Sequence, residues 1–137
     1  MTQAAGWRAE LAAPVFAVRD MALAIACYRD KIGFDIAFQW PLASSFENPA
    51  NCPDYVILRL GNCELHLSKN STVTPAIAYF FIDGIDDCYV TLAAANAPIA
   101  VPIATQPWDM REFEINDPDG NVLIFGEHTS RLSSTKD

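Results

Sequence analysis

The chain runs through one order of elements twice, and that duplication constrains its fold more than any other feature of the sequence. In the first half, Pro14 to Arg19 has the apolar character of a strand, and Asp20 follows as a helix N-cap. Met21, Ile25, Tyr28 and Ile32 recur at the spacing of one helix face, and Gly33 stands where a helix closes on a left-handed residue. Phe34 to Trp40 reads as a returning strand. A loop holding Pro41, Asn48, Pro49, Asn51 and Pro53 then leads to a hairpin of Tyr55 to Leu60 and Cys63 to Ser68 around Gly61-Asn62. In the second half, Ala76 to Ile82 predicts a strand, and Asp83 or a neighbour is expected to cap a helix whose stripe is Ile85, Cys88, Tyr89 and Leu92. Asp86 and Asp87 suit the positive end of that helix, and Pro98 stops it. Ile99 to Thr105, Arg111 to Asn116 and Asn121 to Glu127 predict three more strands, the last two joined by the DPDG turn at 117–120.

Two copies of strand, helix, strand, strand, strand imply an α+β protein. Each small sheet would be covered by a helix on one face and open on the other, and two such units can set their open faces around a concave cleft. A single domain over 1–137 is expected, with modules at 13–69 and 76–128 and a polar tail at 129–137; a chain of 137 residues buries enough surface to need no disulfide. Cys27, Cys52, Cys63 and Cys88 form no CxxC pair and read as reduced, mostly buried thiols. The first residues lack the basic and apolar regions of a secretion signal, and the longest apolar runs, Met21 to Cys27 and Ala76 to Ile82, are too short to span a bilayer. A soluble, cytoplasmic protein is the expectation.

Charge narrows the partners. The net charge is −8, and it is lopsided: residues 1–70 hold six basic and seven acidic residues, residues 71–137 three and ten. Such a field repels nucleic acid and anionic membranes. It either concentrates cationic ligands or serves solubility alone.

Three segments carry a resemblance: PVFAVRDMALAIACYRDKIGF at 14–34, AYFFIDGIDDCY at 78–89 and REFEINDPDGNVLIF at 111–125. With the duplicated order, they make the chain similar over nearly its whole length to the vicinal-oxygen-chelate superfamily of glyoxalase I, extradiol dioxygenases, fosfomycin-resistance enzymes and bleomycin-resistance proteins. QPWDMREF at 106–113 resembles more narrowly a segment of the bleomycin-binding branch, with Asp109 and Met110 where that branch tends to have one glycine. The resemblance implies the βαβββ-duplicated fold. It also allows a divalent metal held by His, Gln or Glu from the first strand of each module and from the last strand.

The residues at those places are apolar: Ala13, then Ala76 or Ile77, then Ile124. Glu64 and His66 are the possible ligands that remain, two apart on one strand face opposite Leu65 and Leu67, and two side chains do not complete a site of three protein ligands plus water. The pair reads either as a polar strand face or as a ligand contact. His128, past the last expected strand, reads as solvated. No nucleophile–base pair, phosphate-binding glycine loop or basic patch is evident. No metal or other cofactor is therefore expected.

What the resemblance then implies is binding: sequestration of a bulky aromatic, cationic or peptide-type antibiotic directed at DNA, as in the bleomycin-resistance branch. The alternative is an enzyme of the same superfamily, a lyase, isomerase or dioxygenase acting on a small molecule. Candidate stacking residues are Trp108 on the rim, with Phe38, Trp40, Phe46 and Tyr55 from the first module. Phe38 and Trp40 alternate with Ala37 and Gln39 and read equally as core. Asp54, Asp109 and Glu112 are the carboxylates near these aromatics, and each reads either as solvent-facing or as a partner for a ligand cation; Glu64 and His66 complete the candidate set. Pro14 matches a proline that, in the bleomycin-binding branch, accompanies an N-terminal strand exchanged between subunits, so the resemblance implies a two-fold homodimer with composite clefts.

Overall fold

The first helix forms because its apolar stripe and its cap agree. Met21, Ile25, Tyr28 and Ile32 are all buried, and the Asp20 carboxylate accepts a hydrogen bond from the Leu23 N–H at 3.1 Å. Only Met21–Ile25 (α1) is α-helical, however; Ala26–Ile32 continues as a wider π-helix. At its end the N–H groups of Gly33 and Phe34 both donate to the Tyr28 carbonyl, and Gly33 closes the turn at φ 96°, where a Cβ would be strained. The widened turn accompanies a specific placement of Tyr28, whose hydroxyl donates to Asp117 of the second half at 2.8 Å while its ring meets Phe34 edge-on at 5.6 Å.

The computed structural model describes residues 6–130. Its strands are β1 (Val15–Val18), β2 (Asp35–Trp40), β3 (Tyr55–Leu60), β4 (Cys63–Lys69), β5 (Ile77–Phe81), β6 (Ile99–Thr105), β7 (Met110–Asn116) and β8 (Val122–His128), with α2 at Ile85–Ala94. They make two four-stranded sheets, ordered β1-β4-β3-β2 and β5-β8-β7-β6. In each the first strand runs parallel to the last and the other pairs are antiparallel. The α+β architecture with two equivalent halves is therefore as the sequence implies.

Alternation along the strands divides each sheet. Phe16, Val18, Val56, Leu58, Leu65 and Leu67 face the helix side of the first sheet and are buried; Phe80, Phe113, Ile115, Leu123 and Phe125 do the same in the second. The two cores are continuous, with Phe34 and Phe80 in edge contact at 6.1 Å. Truncating a fully buried Leu58 or Leu67 to alanine in such a core costs about 2–5 kcal/mol.

The DPDG turn does more than join β7 to β8. Asp117 accepts hydrogen bonds from the N–H groups of Asp119 and Asn121 as well as from Tyr28. The Asn121 side chain donates to the Ala17 carbonyl at 3.0 Å and accepts from the Ala76 N–H at 2.9 Å. Asp119 takes the Arg19 guanidinium at 3.1 Å. Three polar residues of one hairpin thus tie the second half to β1 and the first helix.

Of Asp83 and its neighbours, Gly84 is the one at the N-cap of α2, at φ 85°, and the Glu127 carboxylate of β8 accepts from the N–H groups of Gly84 and Ile85 at 3.1–3.3 Å. A carboxylate from across the sheet satisfies the donors that a local side chain was expected to reach. One expectation needs correction. His128 does not lie beyond the last strand; it is the last residue of β8, exposed and paired in register with Met110. All four cysteines are free, but Cys27 alone is fully buried and the others are half-buried.

Candidate functional site

The open face of the first sheet is read off its register. Phe38, Ile57, His66 and Val15 form one row across the four strands, and Trp40, Tyr55, Ser68 and Ala17 the next. A β-bulge between Ile36 and Phe38 decides which residues appear there. Ile36 pairs with buried Leu58, but after the bulge Phe38 pairs with Ile57 and Trp40 with Tyr55, so both aromatics turn away from the core. Phe38 is 41% and Trp40 55% exposed. Phe46 goes the other way: its ring packs on the edge of the core, 6.0 Å beneath the Arg29 guanidinium of the first helix, so it is not part of this face.

Glu64 and His66 are not two idle polar groups. The Tyr55 hydroxyl lies 2.6 Å from His66 Nδ1, His66 Nε2 lies 3.1 Å from Glu64 Oε2, and the Arg59 Nε donates to Glu64 Oε1 at 3.3 Å. These partners assign the tautomer of neutral His66: the Nε2 proton points at the carboxylate, and Nδ1 accepts the phenol proton. The hydrogen bond from His66, with Arg59 behind it, holds the Glu64 carboxyl below the usual carboxylate range. Sequence reading found no such proton-transfer chain, because it depends on Tyr55 and His66 meeting across β3 and β4, where Ile57 is the direct partner of His66 and Tyr55 lies on the diagonal.

The second sheet has its own open face, with rows Phe81, Gly126, Glu112, Ala104 and Tyr79, Ile124, Glu114, Val101. Tyr79 reaches diagonally across β8, and its hydroxyl donates to Glu112 Oε2 at 2.6 Å. The reach is possible because residue 126 is glycine: a Cβ there would lie 2.0 Å from the Tyr79 hydroxyl. Burial, then the hydrogen bond to Glu112 and its charge, push the Tyr79 phenol up. Glu112 is only 7% exposed, whereas Phe81 is 74% exposed, its ring tilted against that of Tyr79 at 5.0 Å. Tyr79, Phe81 and Gly126 were missed from the sequence; the signal was a glycine inside a strand pattern, which marks a close approach.

Trp108 lies in the turn between β6 and β7, 61% exposed, and Asp109 beside it is exposed at φ 65°. The Asp109 carbonyl accepts from the Thr129 N–H, which fixes the turn against the end of β8. Asp54 is exposed in the approach to β3. Pro14 leads into β1, and its carbonyl accepts from the His66 N–H at 2.9 Å. Between the N-terminal segment, β4 and β5 lies a cavity of about 420 Å³ lined by Leu11, Pro14, Cys63, Glu64 and Tyr79 among others. It brings one end of the Tyr55–His66–Glu64 chain and the Tyr79 side chain of the second sheet to a common space.

The residues present do not fit a superfamily metal. Ala13, Ile77 and Ile124 offer no donor atoms, and His66 has both nitrogens engaged. Among the described residues no group of three or more His, Cys, Asp or Glu side chains could hold an ion. Also among the described residues, no helix is long and apolar enough to cross a membrane.

Known folds share this arrangement. TioX from Micromonospora sp. ML1 superposes with a TM-score of 0.72 at 18% identity, over 87% of this chain and 99% of that one. A lactoylglutathione lyase from Agrobacterium tumefaciens gives 0.66 at 18% identity, over 89% and 96%. A bleomycin-binding protein solved in complex with bleomycin gives 0.66 at 18% identity, over 88% and 99%. No curated protein matches the sequence. The family model of the Glyoxalase/Bleomycin resistance protein/Dioxygenase superfamily, in contrast, matches residues 10–125, and the chain belongs to that superfamily.

Proposed function

We propose that this protein binds and sequesters a bulky aromatic, cationic or peptide-type DNA-directed antibiotic without a metal, inside the cell, and so confers resistance or self-protection. The observation that carries the reading is the group of rings on the open face of the first sheet, exposed Phe38 and Trp40 with half-buried Tyr55 beside Trp40, a face that no helix covers among the described residues. Flat ring systems gain about 1–3 kcal/mol per stacked ring by analogy with base stacking. The acidic second half suits a cationic ligand, and Trp108 supplies a further exposed indole. A two-fold dimer with composite clefts would cover apolar residues that this chain leaves open, Leu11, Val15 and Ile77 near the free edges of β1 and β5. Pro14 would then mark an exchanged N-terminal segment.

Sequestration is stoichiometric, so useful protection needs a nanomolar-range dissociation constant, about −11 to −12 kcal/mol. Tryptophan-fluorescence titration and calorimetry against bleomycins, mitomycins and peptide bis-intercalators test this. Binding of one member near one per subunit is the expected result, and no binding across the panel ends the proposal. A second reading, a superfamily enzyme acting on a small molecule, is favoured by the Tyr55–His66–Glu64 chain, which could pass a proton without a metal. One zinc, nickel or iron per subunit, in protein purified without chelator, would overturn the metal-free form of both readings.

A further inference from the structure

We infer that the open face of the second sheet holds a recognition site for an organic ammonium group, formed by the Glu112 carboxylate and the rings of Tyr79 and Phe81. The inference deepens the binding function proposed above, naming the group of the ligand that this half of the protein takes. Glu112 is a carboxylate buried to within 7% of full exclusion, and the hydrogen bond it accepts comes from a neutral phenol, not from a cation. Among the described residues no Lys or Arg lies in salt-bridge contact with it. Arg111, the one Lys or Arg described beyond residue 70, points to the other face of the sheet and is held by Asp86 at 2.9 Å.

A buried carboxylate beside apolar rings carries a desolvation cost that a neighbouring positive charge offsets. The aromatic geometry supplies the rest. The Tyr79 and Phe81 rings are in contact, 5.0 Å between centroids and inclined at 47°, and Phe81, the most exposed large apolar residue described at 74%, keeps a ring face open to a ligand. Ring faces attract alkylammonium groups through their negative quadrupole, and a methylated ammonium packs its carbons against them. Glu114, in the adjacent row, adds a second negative charge on the same face. Gly126 lets the Tyr79 hydroxyl lie over β8 against Glu112, since a Cβ there would stand 2.0 Å from it. A metal ion would find one carboxylate and one phenol, too few donors for a closed site.

The test compares choline with 3,3-dimethylbutan-1-ol, which has the same shape with carbon in place of the charged nitrogen. Binding is followed through the Tyr79 and Phe81 ring resonances. Choline should bind about tenfold or more tighter than the alcohol. In Glu112→Gln, checked for an unchanged melting temperature, the preference should shrink to about twofold or less. Phe81→Leu, at an exposed position that folding tolerates, should lower choline affinity several-fold and so provides the same test should Glu112→Gln not fold. Equal binding of the two compounds to the native protein overturns the site, as does a preference that survives both substitutions. Choline selectivity with no binding across the antibiotic panel would leave the ammonium site standing and remove the antibiotic reading. Antibiotic binding without choline selectivity would do the reverse.

Discussion

Gly126→Ala is expected to break the Tyr79–Glu112 hydrogen bond, and the size of the effect follows from the local geometry. The new methyl carbon would stand 2.0 Å from the Tyr79 hydroxyl and 2.8 Å from the ring carbon bearing it, so the ring must swing away. A hydrogen bond to a charged group contributes about 1.5–3 kcal/mol, and the low end applies because Tyr79 is already 37% exposed and water can replace it. Against this, alanine is favoured over glycine within a strand by about 0.5–1 kcal/mol. The net loss in the native background should be about 0.5–1 kcal/mol, provided the Glu112 Cβ, at 3.2 Å, gives by a few tenths of an ångström. In a Tyr79→Ala background the two Tyr79 contacts are gone and the Glu112 Cβ at 3.2 Å is left, and the same substitution should be neutral or stabilising by up to about 0.5 kcal/mol. Urea denaturation of the four proteins gives the coupling energy, expected at about 0.5–1.5 kcal/mol. A spectrophotometric titration near 295 nm provides an independent reading: the Tyr79 phenol, pushed up in the native protein, should return toward the ordinary value of about 10 in Gly126→Ala. Equal stability changes in both backgrounds would refute the idea that Gly126 exists to admit Tyr79.

Two further outcomes are expected. Trp108→Ala, at a 61% exposed turn position, should change stability by no more than about 0.5 kcal/mol and weaken antibiotic binding by about 5- to 150-fold; a large loss of stability would instead assign the indole a packing role. Burial pushes the Cys27 and Cys88 thiols up to about 11. Because the folded values are raised, their contribution to stability is complete below the ordinary thiol value and is lost as the pH rises toward about 11. Melting temperatures should fall across that alkaline window. At pH values near neutrality both thiols should resist iodoacetamide in the folded protein, and mass spectrometry finding either modified first would contradict the assignment.

Much of the fold was legible because its signals are local. The stripe of Met21, Ile25, Tyr28 and Ile32, the caps at Asp20 and Gly33, and the DPDG turn each act within a few residues, and each lies where the sequence implies. The candidate site was less legible because its geometry is set across strands. Phe38 and Trp40 share sequence parity with core-side Ile36, so no alternation argument could separate them; the bulge that turns them outward is a property of the pairing with β3. Glu112 looked like one surface carboxylate among several until Gly126 and Tyr79, from two other strands, covered it. The same holds for Glu127, whose capping of α2 joins residues more than forty apart in sequence. Phe46 shows the opposite failure: a polar loop suggested exposure, but Arg29 and the core edge receive its ring.

The hydrogen bonds around Asp117 and Asn121 bear on how a duplicated chain ages. Two halves that began as equivalent copies need not have depended on each other. Here the hairpin of the later copy supplies the acceptor for a phenol buried in the earlier one, and completes a backbone carbonyl at the end of its first strand. Separated, the first half would keep Tyr28 in an apolar interior without a partner, and the second would lose the guanidinium at Asp119. The duplication has become irreversible: neither copy can be discarded or expressed alone without leaving unpaired polar groups in the other.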